Sequence, residues 1–133
     1  IDTSENGVEM NDVALIPNNK VYFFAVGDNP EAAKALTALL NSAPARAYAG
    51  SYAMRTGGNY IQNQAWVLGL IPLPAKVTTG DVDQLDTLSK ECHSEGETDE
   101  RIDAINQEVG DLYGLTDEEL ESLEEFMDFF LAG

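Results

Sequence analysis

The sequence predicts an α+β protein: a small, twisted, mainly antiparallel sheet packed with helices, ending in a C-terminal helical hairpin. Three observations point there. Short runs of β-branched and aromatic residues, Val13–Ile16 and Val21–Val26, flank the turn residues Pro17-Asn18-Asn19-Lys20. Farther on, Tyr60, Gln62 and Gln64 alternate with Ile61, Asn63 and Ala65, the pattern of a strand with one wet face. From residue 81 onward, apolar residues return at helical spacing. With 133 residues, 44% of them apolar, the chain fits one domain able to bury a core. Residues 1–80 read as its α+β part and 81–133 as an acidic helical segment of the same domain.

Each element has a local cause. The run "VYFFAV" suits a strand covered on both faces. In "GDNPEAAKALTALLNSAP", Asn29 caps a helix, Pro30 suits its first position and Glu31 its positive end. Ala32, Leu36, Leu39 and Leu40 form the expected buried stripe. Pro44 disfavours helical geometry at Ala43 and opens a second helix through Ala53. Gly57-Gly58 is a turn signal. The prolines of "IPLP" (71–74) cannot donate to a ladder, so this stretch belongs at a sheet edge or in a loop.

The remainder reads as helical. Val82, Leu85, Leu88 and Cys92 share a face, and "HSEGETD" reads as a solvated linker. Ile102, Ile105, Val109 and Leu112 repeat at helical spacing, with Gly110 a weak point of about 1 kcal/mol against Ala. Gly114 is placed as a left-handed helix stop with Leu115 folding back toward Val109. Thr116 and Glu119 form a capping box for the last helix, and Leu115 pairs with Leu120 as its staple. The final turn, "FMDFFLAG", is apolar on more than one side, which suits docking on the core, on another domain or in self-association.

Charge divides the chain. The net charge is −17, yet residues 1–80 hold six acids against five bases, while 81–133 hold eighteen against Lys90 and Arg101. Between Ala32 and Gly80 there is no carboxylate side chain, and four bases. Binding responds to local potential, so the overall acidity does not exclude nucleic acid. An acidic chain with few lysines also fits a salt-loving cytoplasm. No apolar run is long enough to span a bilayer, and no membrane partner is expected. The single Cys92 excludes an internal disulfide and fits a reduced, cytoplasmic setting. The start at Ile1 suggests a fragment of a larger protein.

No catalytic set emerges. His93 is the only histidine, and its neighbour Cys92 points elsewhere on a helix, so zinc and nucleophilic triads are both unsupported. No phosphate loop or calcium loop is present, and no metal or cofactor is expected in the chain itself. Binding chemistry remains. The stretch 45–66 carries Arg46, Tyr48, Tyr52, Arg55, Asn59, Tyr60, Gln62, Gln64 and Trp66, the side-chain types that contact phosphates and base edges. Gly57 and Gly58 let backbone amides approach a phosphate. An ordinary helix–turn–strand with core aromatics and wet amides explains the same stretch. An acidic hairpin binding a basic partner, or bracing a neighbouring domain, is the alternative function.

Three segments in order carry a resemblance. "TALLNSAPARAY" is similar to the "LLNS" helix of specificity domains in adenine-specific DNA methyltransferases. "GGNYIQ" followed by "LGLIPLP" resembles the next segment of those domains, and "RIDAINQEVGDLYGLTDEELESLE" resembles the ending of the fused restriction–methylation enzymes in that group. Together they span roughly residues 20–76 and 100–125. The resemblance implies a target-recognition domain, non-catalytic by itself, with an α+β fold and double-stranded DNA as partner. It further implies a separate N-terminal domain that binds S-adenosylmethionine, flips out adenine and carries an Asn-Pro-Pro-Tyr/Phe motif absent from this chain. Carried over by position, Arg46, Tyr52, Arg55, Gly57, Gly58, Asn59, Tyr60, Gln62, Gln64 and Lys76 would face DNA. The chain offers fewer Arg and Lys there than the family does.

Overall fold

A computed structural model describes residues 26–56, 60–62 and 64–132, with side chains for 26–53 and 64–129. Six helices build it: α1 Pro30–Asn41, α2 Ala43–Tyr52, α3 Ala65–Leu70, α4 Thr79–Glu95, α5 Asp99–Tyr113 and α6 Asp117–Ala132. The expected α+β class is therefore overturned. Among the described residues, the only strand pairing is an antiparallel hairpin of β1 Met54–Thr56 and β2 Tyr60–Gln62, three residues a side. That ribbon offers no sheet for helices to pack on. The core is made by helices packing on helices. The strand predicted at 13–16, its turn and all but the last residue of the strand predicted at 21–26 lie outside the described residues, and that last residue, Val26, is exposed, non-helical chain.

Local chemistry sets the helix ends. The Asn29 carboxamide oxygen accepts the Ala32 N–H at 3.0 Å, and Pro30 and Glu31 follow as the cap rules require. The break before α2 falls at Ser42, whose ψ is 155°, one residue earlier than the proline rule suggests. Ala43 is already the first residue of α2. Thr78 and Asp81 form a reciprocal capping box on α4, and Thr98 caps α5. His93, Ser94 and Glu95 continue α4 instead of joining the linker, because the stop is Gly96 at φ 89°.

The predicted helical hairpin at the C-terminus is present. Gly114 adopts φ 71°, the Leu115 N–H donates to the Gly110 carbonyl at 2.9 Å, and the Gly114 N–H reaches Asp111 at 3.0 Å. These two bonds form a Schellman motif. Thr116 and Glu119 exchange bonds of 2.9 and 3.2 Å to start α6. Against the helix-propensity cost of Gly110 stands the space it leaves, since a Cβ there would sit a tight 3.3 Å from the Leu120 side chain of α6.

The core joins Ala35, Ala38, Leu39, Leu40, Ala45, Leu85, Leu88, Ile105 and Val109. Its α1 stripe is shifted from expectation, with Ala33, Ala35, Ala38, Leu39 and Leu40 buried while Ala32 and Leu36 are half-buried. The alanines of α1 and α2 let helices approach closely. Ile102 misses the core at 38% exposure.

Thr37, Ser42, Asp86, Ser89 and Asn106 are the polar residues buried among the described ones, and two of them bear most on the packing. Asn106 accepts the Ala43 N–H at 2.8 Å and donates to Glu124 Oε1 at 3.1 Å, so one carboxamide ties the start of α2 to α5 and α6. Asp86 pairs with Lys90 at 2.6 Å through one carboxylate oxygen, and its other oxygen has no partner.

Candidate functional site

The charge division along the chain does not persist in space. α1 packs chiefly on α4, and α2 packs on α6. The carboxylate-free α2, and α1 with its single Glu31, are thus each covered on one side by an acidic helix. Glu118, Glu121 and Glu125 stand exposed on α6, the helix next to α2.

Between α2 and α6 lies an apolar cleft of about 490 Å³. Pro44, Ala45, Ala47, Tyr48 and Ser51 form one wall, spaced along one face of α2. Leu115, with Leu123 and Phe126 of α6, forms the other, and Tyr113 stands at the end of α5. Ile71 and Pro72 close one side, held where the Tyr113 hydroxyl donates to the Pro72 carbonyl. Burial raises the Tyr113 phenol above its ordinary value. The volume lies within the range of natural ligand pockets, and no carboxylate, amide or cationic side chain lines it.

An aromatic edge continues from this cleft. Tyr48, one of its lining residues, lies 5.4 Å from Tyr52 by ring centroids, and Tyr52 lies 6.5 Å from Trp66 in an edge-to-face arrangement. Gln64 accepts a hydrogen bond from the Trp66 indole. Tyr52 and Trp66 are 48% and 53% exposed, and Leu70, Leu73 and Phe129 also face solvent. The exposed aromatic and apolar surface is thus larger than the cleft alone.

The predicted DNA-facing residues scatter over this region. Tyr52 and Gln64 join the aromatic edge around Trp66. Arg46 is half-buried on α2 and, two residues before Tyr48, lies roughly 160° round the helix from it. Arg55 occupies the register position opposite Ile61 in the hairpin, while Tyr60 pairs with Thr56 and Gln62 with Met54. Gly57, Gly58 and Asn59 lie outside the described residues. Lys76 is exposed in the 71–78 connection that follows α3. Of the set, Tyr52 and Gln64 meet at Trp66, and Arg46 does not join them.

Sequence reasoning missed the cleft residues Ile71, Pro72, Tyr113, Leu115 and Leu123. The one available signal was the apolar excess around Phe126, read as docking on the core, on another domain or in self-association. It also missed α3, where "AWVLGL" forms a helix beside the strand pattern. Among the described residues, no cluster of His, Cys, Asp or Glu could hold a metal ion, and no helix is long and apolar enough to cross a membrane. Compared with protein-family models, curated proteins and solved structures, the chain finds no match.

Proposed function

We propose that this chain is a non-catalytic binding module whose working surface is the α2–α6 cleft and its aromatic edge. It docks a basic, apolar partner or a neighbouring domain. One observation carries the reading: an apolar cleft of about 490 Å³ borders the most acid-rich helix start among the described residues, with Asp117, Glu118 and Glu119 in one turn. Apolar contact supplies affinity there, and the carboxylates favour a positively charged partner.

A second reading keeps DNA as the partner, with the chain as the target-recognition part of an adenine-specific DNA methyltransferase or restriction–methylation enzyme. S-adenosylmethionine and the N-terminal methyltransferase domain would then belong to the larger protein. The carboxylate-free span from Ala32 to Gly80 supports this reading, because its exposed members include Tyr52, Trp66 and Lys76. Aromatic faces of this kind stack on bases. Against it stands the packing of acidic α6 onto α2.

Trp66 is the only tryptophan, so its fluorescence reports on this surface without labelling. The docking reading predicts a saturable change with a cationic, Leu-rich peptide, weakened by at least about tenfold in Phe126→Ser. It predicts none with duplex oligonucleotides at the same ionic strength. A duplex-induced change that Arg55→Ala abolishes, with no response to the peptide, would overturn it in favour of DNA.

A further inference from the structure

Resting on that docking reading, we infer that the occupant of the α2–α6 cleft is an amphipathic α-helix. It has large apolar residues on one face and Lys or Arg beside them.

The cleft's own chemistry selects the conformation. An extended peptide carries a backbone N–H and C=O at nearly every residue, and burying them unpaired costs far more than its side chains gain. A strand docks only where a sheet edge offers matching groups. This cleft offers no sheet edge: its two long walls are helices, whose backbone N–H groups beyond the first turn are taken within the helix, and the Ala43 N–H is held by Asn106. Pro44 and Pro72 have no N–H, and the Ile71 and Leu115 N–H groups already donate to Leu68 and Gly110. The side chains lining the walls contribute only three hydroxyls. Two are already donating, Tyr113 to the Pro72 carbonyl and Ser51 to the Tyr48 carbonyl. A helix satisfies its backbone internally and presents only side chains to such walls.

The size and charge agree. The α2 wall from Pro44 to Ser51 runs roughly 10 Å along its axis, about two turns of a docked helix. That length takes apolar anchors at positions i, i+4 and i+7. Glu118 and Glu125 are exposed on α6, roughly 80° and 100° round it from the lining residue Phe126. They stand where residues flanking the anchors of a docked helix would lie. Each chain carries a net charge of −17, which opposes a second copy as the occupant and favours a basic one.

Isothermal titration of the intact chain tests this with three synthetic peptides of about 18 residues, or five helical turns. The first is a Leu/Lys helix with Leu at i, i+4 and i+7. The second has the same composition with a central proline pair that forbids a helix. The third is a Leu/Glu helix. The expected result is saturable binding of the first peptide alone. Phe126→Ser weakens it by at least about tenfold, and the double variant Glu118→Lys/Glu125→Lys weakens it and flattens its salt dependence. Tight binding of the proline peptide would sink the helical occupant while leaving the docking reading intact. If no basic peptide binds, or if binding is indifferent to Phe126→Ser, the docking reading fails as well. A dimer in sedimentation that Phe126→Ser dissociates would assign the cleft to a second copy and overturn the inference.

Discussion

Replacing Asn106 by Leu should cost more than any surface substitution in the chain. Its carboxamide oxygen receives the N–H of Ala43, a residue only 8% exposed, and its NH₂ group donates to Glu124. Ser42, the residue that would normally cap α2, makes no side-chain cap bond there; its hydroxyl donates to the Leu39 carbonyl at 2.6 Å. Asn106 thus caps α2 from a different helix. Leu at this position fills similar space but strands a buried backbone donor, at about 1–3 kcal/mol, and leaves the Glu124 oxygen short of a donor, at about 0.5–1.5 kcal/mol. The total is roughly 2–4 kcal/mol. For a urea slope of about 2 kcal/mol per molar, the midpoint falls by roughly 1–2 M, readable by circular dichroism at the helical minimum.

Asp at the same position separates the two bonds. It keeps an acceptor for Ala43 but sets a carboxylate against Glu124. Repulsion raises the carboxyl pKa values in the folded state, so the loss is complete at neutral pH and recovers as pH falls through the raised values. Asn106→Leu should show no such recovery. If Asn106→Leu unfolds within about 0.5 kcal/mol of the parent, the tertiary cap is not holding the α1–α2 corner and the reasoning is wrong.

Gly110→Val should destabilise by about 1–3 kcal/mol despite removing a helical glycine, because its branched side chain enters the space of Leu120; equal or greater stability in urea would show that α6 can shift aside. The N–H and then the hydroxyl of Thr78 hold the Asp81 carboxyl below its ordinary 3.8. Its contribution is therefore present above that value and lost as pH falls through the lower folded one, so Asp81→Asn should lower the melting temperature at pH 7 and match the parent near pH 2. A gap that persists in acid would point to a different role. Burial, with the Glu97 carboxylate beside it, pushes the Cys92 thiol above its ordinary value. Alkylation at pH 8 should run slower than for a small free thiol and recover in urea, and an equal rate in the folded chain would contradict that setting.

What was legible in the sequence was what local chemistry decides. Asn29-Pro30-Glu31, Gly114 and the pair Thr116 and Glu119 each fix a helix end within a few residues of themselves, and all three ends are found. The sheet was not legible. Alternation at Tyr60, Gln62 and Gln64 covers too few residues to tell a strand from a ribbon of three, and the next residues, "AWVLGL", turn helical against α2. Buried polar groups were hidden for a related reason. Asn106 and Asp86 look like the wet side of amphipathic helices until the partner helices are in place.

Charge was the most misleading signal. Segregation along the chain suggests segregation in space, but α2 folds against α6 and brings the poorest and richest carboxylate segments together. The same juxtaposition produces the cleft, whose walls come from α2, the ends of α5 and α3, and α6. No window of sequence contains it. Gly110 teaches the same lesson at one residue, since its value depends on Leu120 ten positions away.

The α2–α6 cleft as the working surface is tested most directly by methyl NMR of the chain titrated with the Leu/Lys helix. The account predicts shifts concentrated at Ala47, Ile71, Leu115 and Leu123, with the methyl groups of Leu85, Leu88 and Val109 in the α1–α4–α5 core unmoved. Shifts that bypass the cleft and gather along α4, or spread evenly over the acidic surface, would contradict it.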